Sequence, residues 1–489
     1  MVRVRFAPSP TGFVHVGNAR TALFNFLHAR RKKGSCVLRI EDTDVKRSKK
    51  EYEENLLTDL KWLGIEWDEG PDVGGDFGPY RQSDRGKLYK QAVLRLIEKE
   101  NAYYCFCSRE ELEKEKQELV GLDNPAGYSH RCRNLDMQKS RVRVSQGEDA
   151  AVRFKVPKNR QVFFRDLVRG EVSFDTNLLN DPVIMRSTGI PAYNFSVVID
   201  DISMKIDLII RGEDHLSNTA RQVLIYEALG QRPPEFAHLS MVMGADNAKL
   251  SKRHGSTSLA QFREQGYLPA ALLNYLSLLG WSPGDDKQVL TKEELIKNFN
   301  LNKVSKSAAI FDYRKLKWLN REHIRLLEDN TLGEILSPFM EEIGLNFERN
   351  PEILAWIGKT AKVMSNYHYL LPEIAEAIKS LTDVDFSPDI IKTIRDSETS
   401  RDVISLLFAG ISRLDSPVAF SRVVEITKKI QQETGIKGKE LYHPIRVALT
   451  GKESGIELSD FIPMIEEGST VKISPPVINM KSRLENYDH

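Results

Sequence analysis

The chain has 489 residues, too many for a single hydrophobic core, and on a size prior of roughly 100–200 residues per domain it should divide into about three to five. Hydrophobic residues make up 41% and charged residues 28%, and no apolar run approaches the roughly 18 residues needed to cross a bilayer, so no membrane role is expected. The net charge of only +1 excludes a uniformly basic nucleic-acid binder and leaves local patches, Arg30-Arg31-Lys32-Lys33, Lys428-Lys429 and Lys437 with Lys439, each of which could equally be a solvated face.

Met1 to Ala7 reads as a charged and apolar strand without the long apolar stretch of a secretory signal, and four cysteines suggest no disulfide framework, so a cytoplasmic protein is expected. The strand from Val2 to Phe6 runs into Ala7-Pro8-Ser9-Pro10-Thr11-Gly12, a turn that no helix could contain. Apolar residues Ala22, Leu23, Phe26, Leu27 and Ala29 recur at helical spacing between Gly17 and Lys33, and Cys36 to Ile40 forms the next compact strand. Strand, helix and strand at this length predict a βαβ unit in a parallel sheet, with a ligand site at the carboxyl ends of its strands.

Gly and Pro punctuation marks a loop from Glu69 to Pro79, and Lys87 to Lys99 returns to helical spacing. A less regular stretch follows, with strand-like pieces at Ala151 to Val156 and Gln161 to Val172, and reads as an insertion. Asp207 to Glu213 is a buried strand entering a helix from about Ser217 to Leu229. From about Lys292 onward only helical patterns remain, including Pro351 to Lys379, Pro388 to Ala409 and Pro417 to Gln432, the last opening on Ser416-Pro417 as a cap with proline in the first turn. The final third is therefore expected to be all-helical and separately folded.

Two short segments carry chemistry: His15-Val16-Gly17-Asn18 at a strand-to-helix turn, and Lys249-Leu250-Ser251-Lys252-Arg253 more than two hundred residues later. Alone, either could be chance or a surface loop. Together they resemble the two signature sequences of class I aminoacyl-tRNA synthetases, usually written HIGH and KMSKS. The flanking Arg5-Phe6-Ala7-Pro8-Ser9-Pro10-Thr11-Gly12 looks like the glutamyl and glutaminyl branch, and almost the whole chain resembles bacterial-type glutamyl-tRNA synthetases, specifically in the front half and more loosely between about Leu326 and Thr434. Asn18 replaces the second histidine, and Leu250 and Arg253 replace Met and Ser. Backbone amides at a helix start, beside His15 and Gly17, suit a triphosphate. Lys252 on a loop suits an α-phosphate gaining charge.

The resemblance implies an α/β Rossmann-like catalytic domain (1–82 and 194–235), an inserted α+β acceptor-binding domain (83–193), a stem-contact domain (236–325) and an all-α C-terminal anticodon-binding region of two subdomains (326–489). It implies ATP-dependent formation of glutamyl-adenylate and transfer to the 3′ end of tRNA-Glu, with Mg²⁺ accompanying ATP, in a monomer. His15, Gly17, Asn18, Lys249, Ser251, Lys252 and Arg253 would bind ATP, with His15 and Lys252 catalytic. Arg5 and Arg211 would take the carboxylates of glutamate, Ser9 and Glu41 its ammonium end, and Ala7 and Tyr193 would complete the pocket. Each has a plainer alternative: Glu41 and Arg211 could be an ion pair, and Arg5 a surface charge.

Cys105-x-Cys107 and Tyr128-x-His130-x-Cys132 resemble the zinc site of some bacterial glutamyl enzymes, whose histidine after the third cysteine is replaced here by Cys132-Arg133-Asn134. Three thiolates, with Tyr128 or His130 as fourth ligand, would hold a structural Zn²⁺; the alternative is three reduced thiols. Phe311 to Asn320 and His443 to Gly451 resemble tRNA stem-contacting and anticodon-binding regions, although a helical bundle could also be a protein-docking module. Tyr367 stands where some relatives carry an arginine that reads the third anticodon base, so charging of tRNA-Gln is a second expectation. A glutaminyl enzyme, whose anticodon domain is built of β-barrels, and a catalytically silent RNA-binding paralogue are the competing readings.

Overall fold

The computed structural model describes residues 1–44, 46–119, 128–284, 286–384, 392, 394 and 396–488. They form two compact units, one of Met1–Phe262 with Leu272–Asp312, the other of Arg263–Ala271 with the chain from Tyr313 onward.

In the first unit, strand β1 (Arg3–Phe6) leads through helix α1 (Val16–Arg31) to β2 (Ser35–Leu38). β1 and β2 pair in parallel, with Val4 opposite Cys36, as the βαβ reading predicts. α1 buries Ala19, Ala22, Leu23, Phe26 and Leu27, because residues three and four apart share a helical face. Further along come α2 (Lys50–Trp62), α3 (Gly86–Glu98), β3 (Ala102–Cys105), α4 (Arg109–Leu119), α5 (Met137–Ser145), β4 (Ala151–Phe154), β5 (Gln161–Asp166), β6 (Gly170–Asp175), β7 (Val183–Met185), α6 (Tyr193–Ser203), β8 (Leu208–Gly212), α7 (Leu216–Ala228) and β9 (Glu235–Leu239).

The main sheet has the order β2-β1-β8-β9-β5-β6, parallel except for the terminal hairpin β5-β6. β3, β4 and β7 form a separate, antiparallel sheet. Gln161 to Val172, expected as one piece of an insertion, is thus a hairpin that extends the main sheet. Asp166 makes the turn, its Oδ1 accepting the N–H groups of Val168 at 2.9 Å and Arg169 at 2.7 Å, an Asx-type turn. Phe164 then packs edge-on to Phe236 of β9, with centroids 5.5 Å apart.

In the second unit the described residues form helices Tyr313–Leu326, Asp329–Glu342, Pro351–Met364, Leu371–Lys379, Glu398–Ile411, Phe420–Thr434, Lys439–Thr450, Leu458–Gly468 and Met480–Asp488. The one ladder among them pairs Asn346–Phe347 with Ile473–Ser474. Three details depart from the sequence reading. Pro351 to Lys379 is two helices, separated at Ser365–Leu370. The start of Pro388 to Ala409 lies outside the described residues. The helix expected from Pro417 begins at Phe420 instead, with Ala419 at its N-cap, because the buried N–H of Val418 is drawn off to Glu466 Oε2 at 2.7 Å. The cap-plus-proline device occurs at Asn350-Pro351, where the Asn350 side chain accepts the N–H of Ile353 at 3.0 Å.

Asp329–Glu342 and Pro351–Met364 pack antiparallel at very short range. A Cβ added at Gly333 would lie 2.3 Å from the Leu354 carbonyl oxygen, and one at Gly358 would lie 2.0 Å from that of Asp329. Backbone on both sides leaves no side chain to yield. Gly358→Ala should therefore destabilise this unit by about 1–3 kcal/mol or more through overpacking, read as a lower urea midpoint for the helical unit than in wild type.

Candidate active site

The carboxyl ends of the parallel strands β1, β8 and β9 open on a cavity of about 790 Å³, where doubly wound sheets place their ligands. Arg5, Ala7, Ser9, His15, Gly17, Asn18, Glu41, Tyr193, Arg211, Lys249 and Ser251 all line it. Of the remaining predicted residues, Arg253 is absent from the lining and pairs with Asp246 at 2.7 Å. The backbone of Lys252 begins a short 3₁₀ turn, Lys252–His254, but its side chain lies outside the described residues.

One end of the cavity rests on buried charge. Arg39, wholly buried, donates to Asp201 at 2.6 Å and to Glu41 at 3.2 Å. Arg5 reaches the same Asp201 oxygen at 3.2 Å. Asp200 in turn accepts from Arg85 at 2.6 Å, Gln82 at 2.7 Å and Tyr89 at 2.9 Å. Burial raises the Asp201 pKa, but Arg39 and Arg5 outweigh it and hold the carboxyl below its usual range. For Glu41 the balance reverses: burial outweighs Arg39 and Arg5, and its pKa is raised. A carboxylate so poorly compensated favours the arrival of a further cation.

Arg5 is 4% exposed and so is no surface charge. Glu41 pairs with Arg39, and Arg211 forms no ion pair with it. Arg211 meets neutral acceptors, and its Nη1 is buried without a hydrogen-bond partner. An unmatched donor on a buried cation is costly unless a ligand supplies the acceptor. Tyr193 opens helix α6, with its hydroxyl 3.0 Å from His215 Nδ1. Its ring is 36% exposed, yet burial around the phenol pushes its pKa up to about 12. Burial, followed by the nearby Arg211, lowers the His215 pKa to about 4.

The other end carries both signature segments. His15 caps α1 in extended conformation and makes no side-chain cap bond, so it does not block the amides that follow Val16. A Cβ at Gly17 would meet no heavy atom within 4 Å, which is the open approach a phosphate needs. The chain just beyond the second segment returns to the first. Val16 N–H donates to Thr257 O at 2.9 Å, Leu259 N–H donates to Val14 O at 3.0 Å, and His15 Nδ1 lies 3.4 Å from Thr257 Oγ1. Motifs more than two hundred residues apart are thereby stitched together by backbone bonds. Sequence reasoning missed Arg20, His215 and Thr257 in the lining. Arg20, one turn after Gly17, carried a signal in being a cation on the buried face of α1.

Away from the cavity, the sulfur atoms of Cys105, Cys107 and Cys132 lie within 4.8 Å of one another. Cys107 and Cys132 are 3.5 Å apart, and Tyr128 Oη is 3.5 Å from Cys105 Sγ. His130 turns instead to Asp181, at 3.0 Å. Arg153 and Arg131 donate to Cys105 and Cys107 at 3.3 Å and 3.2 Å, cations suited to a surplus of thiolate charge.

Comparison with known proteins fixes the family. The model described as "tRNA synthetases class I (E and Q), catalytic domain" matches residues 1–318, and "Anticodon binding domain" matches 331–472. Sheet, cavity and family model together define a class I tRNA synthetase. The glutamate–tRNA ligase of Carboxydothermus hydrogenoformans is 46% identical over 469 residues, covering 95% of this chain and 97% of that one. That of Bacillus subtilis is 42% identical over 479 residues, covering 96% and 98%. A crystal structure of a glutamate tRNA ligase from Elizabethkingia meningosepticum, in complex with its amino acid, superposes with TM-score 0.88 at 32% identity over 99% of both chains. The chain belongs to the glutamate–tRNA ligases, and its function is the ATP-dependent attachment of glutamate to tRNA.

The buried charges make one prediction independent of any ligand. Arg39→Met would strand Asp201 and Glu41 without their shared cation, at a cost of about 3–5 kcal/mol. Urea unfolding followed by tryptophan fluorescence should show the loss in the front unit.

Proposed function

We propose that the cavity binds glutamate against Arg5 and Arg211 and ATP against the two signature segments, so that the α-carboxylate of glutamate attacks the α-phosphate and displaces pyrophosphate, and the glutamyl group then passes from the adenylate to the terminal hydroxyl of the tRNA with release of AMP. The observation that carries this reading is the buried Arg211 guanidinium, charged and short of one acceptor, in the same cavity as His15, Gly17 and Lys249. Arg5 and Arg211 take the carboxylates. Glu41, its charge poorly compensated, and Ser9 take the ammonium group, and Ala7 and Tyr193 close the pocket. His15, Gly17 and Asn18 at the start of α1 meet phosphate, with Lys249, Ser251, Lys252 and Arg253 approaching from the second loop, and Mg²⁺ accompanies the triphosphate. No covalent enzyme intermediate is needed, since holding the reactants in line and matching the growing phosphate charge with Lys252 supply the rate enhancement.

Around this centre we assign acceptor binding to 83–193 apart from the β5-β6 hairpin, stem contact to 236–325 and anticodon binding to the two helical subdomains of 326–489. The working unit is read as a monomer in the cytoplasm. No helix among the described residues is long and apolar enough to cross a membrane. Labelled glutamate and labelled glutamine, offered separately with bacterial tRNA, test the assignment. Glutamate should be transferred by wild type and the rate should fall about a hundredfold or more in Lys252→Ala, while transfer of glutamine, or an unimpaired mutant, would overturn the site assignment.

Tyr367, 41% exposed just after helix Pro351–Met364, supports acceptance of tRNA-Gln as well as tRNA-Glu, because it offers no cation to a base. Arg325 bears on the same spot from another helix, donating to Asn366. The same assay with tRNA-Gln transcripts decides, and failure to accept glutamate would remove the wider specificity.

The three thiols fit a structural Zn²⁺, with Tyr128 as the fourth ligand because its hydroxyl faces Cys105 while His130 is held by Asp181. When bound, the metal would brace the strand β3 end against the Tyr128–Cys132 segment. Purified protein should contain stoichiometric zinc, lost in Cys132→Ser and retained in His130→Ala. Tyr128→Phe should weaken metal affinity by about tenfold or more, measured by competition with a chromophoric chelator.

A further inference from the structure

Arg211 is anchored differently from the three buried arginines that neighbour it in or behind the cavity wall, Arg5, Arg39 and Arg85. Arg5, Arg39 and Arg85 each meet an aspartate. Arg211 meets none. Its Nε donates to His238 Nε2 at 3.2 Å, and its Nη2 donates to Thr219 Oγ1 at 2.6 Å and to Gln222 Oε1 at 2.8 Å. Gln222 is itself oriented by Asn194, whose Oδ1 accepts from Gln222 Nε2 at 3.0 Å.

For His238 Nε2 to accept from a guanidinium, the ring must be neutral with its proton on Nδ1. The structure supplies the reason for that tautomer. Nδ1 lies 2.6 Å from Asp166 Oδ2, and both side chains are wholly buried. Asp166 also accepts the backbone N–H of His238 at 3.0 Å and the two turn amides of Val168 and Arg169. Although burial raises the Asp166 pKa, these donors outweigh it and keep the carboxyl below its usual range. Burial lowers the His238 pKa, and Arg211 adds to the effect. A carboxylate that stays ionised accepts the Nδ1–H hydrogen bond, and the Nε2 lone pair faces Arg211 Nε and the Thr219 hydroxyl, 3.0 Å away, which links the two neutral acceptors to each other.

We propose that His238, oriented by Asp166, is a positioning residue for glutamate selection: it fixes the Arg211 guanidinium through a neutral acceptor, so that the cation is held in place but its charge is left for the substrate. This rests on the reading of Arg211 as a carboxylate-binding residue. The electrostatic logic is specific. An aspartate behind Arg211 would orient it equally well but would form an ion pair that competes with the incoming carboxylate. Three neutral acceptors hold the geometry without that competition, and Nη1 remains without a partner. Glutamine, with no charge to offer, gains little from such an arginine, so the same device separates the two amino acids. The hairpin β5-β6 then has a task in the site, because it delivers Asp166 to the back of β9.

The test compares full-length wild type with Arg211→Leu, His238→Leu, His238→Gln and Thr219→Val in steady-state aminoacylation of tRNA-Glu. KM is measured separately for glutamate and ATP, and glutamine is tried as competitor. His238→Leu should raise the glutamate KM by about tenfold or more and leave the ATP KM within about twofold, narrowing the preference for glutamate over glutamine. His238→Gln, whose side-chain oxygen can stand in for Nε2, should recover most of the loss. Thr219→Val, which keeps shape and removes one acceptor, should raise the glutamate KM by about threefold to tenfold; it decides the matter if His238→Leu does not fold. If Arg211→Leu leaves the glutamate KM unchanged, the reading of Arg211 falls and the inference with it. If Arg211→Leu raises it while His238→Leu and Thr219→Val do not, or if these two raise both KM values equally, the inference alone is overturned.

Discussion

Burying a cation without cancelling it is the constraint around which the front unit is organised. Arg5, Arg39, Arg85 and Arg211 are all almost fully removed from water, and an isolated charge in that position would be ruinous. The chain meets the cost with Asp200 and Asp201, adjacent on helix α6, which between them serve Arg5, Arg39 and Arg85. Arg39 shares itself with Glu41, so the pairing closes on the cavity wall instead of deep in the core. Two imbalances face the cavity: Glu41 with too little positive charge, Arg211 with too few acceptors. A zwitterion with an extra carboxylate has the complementary shortfalls.

The secondary structure serves that arrangement. β1 and β8 are neighbours in a parallel sheet, with Val4 opposite Leu208, so Arg5 and Arg211 emerge at the same end. Helix α1, leaving β1, turns its uncapped amides to that end also. The antiparallel sheet of β3, β4 and β7 hangs between α3 and α6 without interrupting this order, and its thiol cluster is local to it. Hairpin β5-β6, by contrast, rejoins the main sheet beside β9.

How much of this could be read from sequence follows from how far apart the interacting residues stand. His15-Val16-Gly17-Asn18 and Lys249 to Arg253 are contiguous, so their chemistry is visible as text, and Cys105-x-Cys107 likewise. The strand ends at Arg5, Glu41 and Arg211 are legible because a short, mainly apolar segment runs up to each and marks where the strand stops. Asp201, Arg39 and His238 were not legible. Each is an ordinary residue in its own neighbourhood and becomes important only through a partner 162 positions away in one case and 72 in another. The hairpin was misjudged for the same reason, since the sheet to which Gln161–Asp166 belongs is decided by a strand that follows it by some seventy residues. At Ser416-Pro417 the local capping pattern was sound but lost to a buried carboxylate, Glu466, that took the backbone donors of Val418 and Met480.

The bonds joining Val14 and Val16 to Thr257 and Leu259 also bear on how such a chain can change over time. They close a ring in the architecture: the two signature segments are fastened to each other directly, and not through what lies between them. Everything from β3 to β7 except the hairpin then behaves as a cassette clipped into a finished frame. It can lengthen, shorten or be exchanged for another module without altering the spacing between the two signature segments.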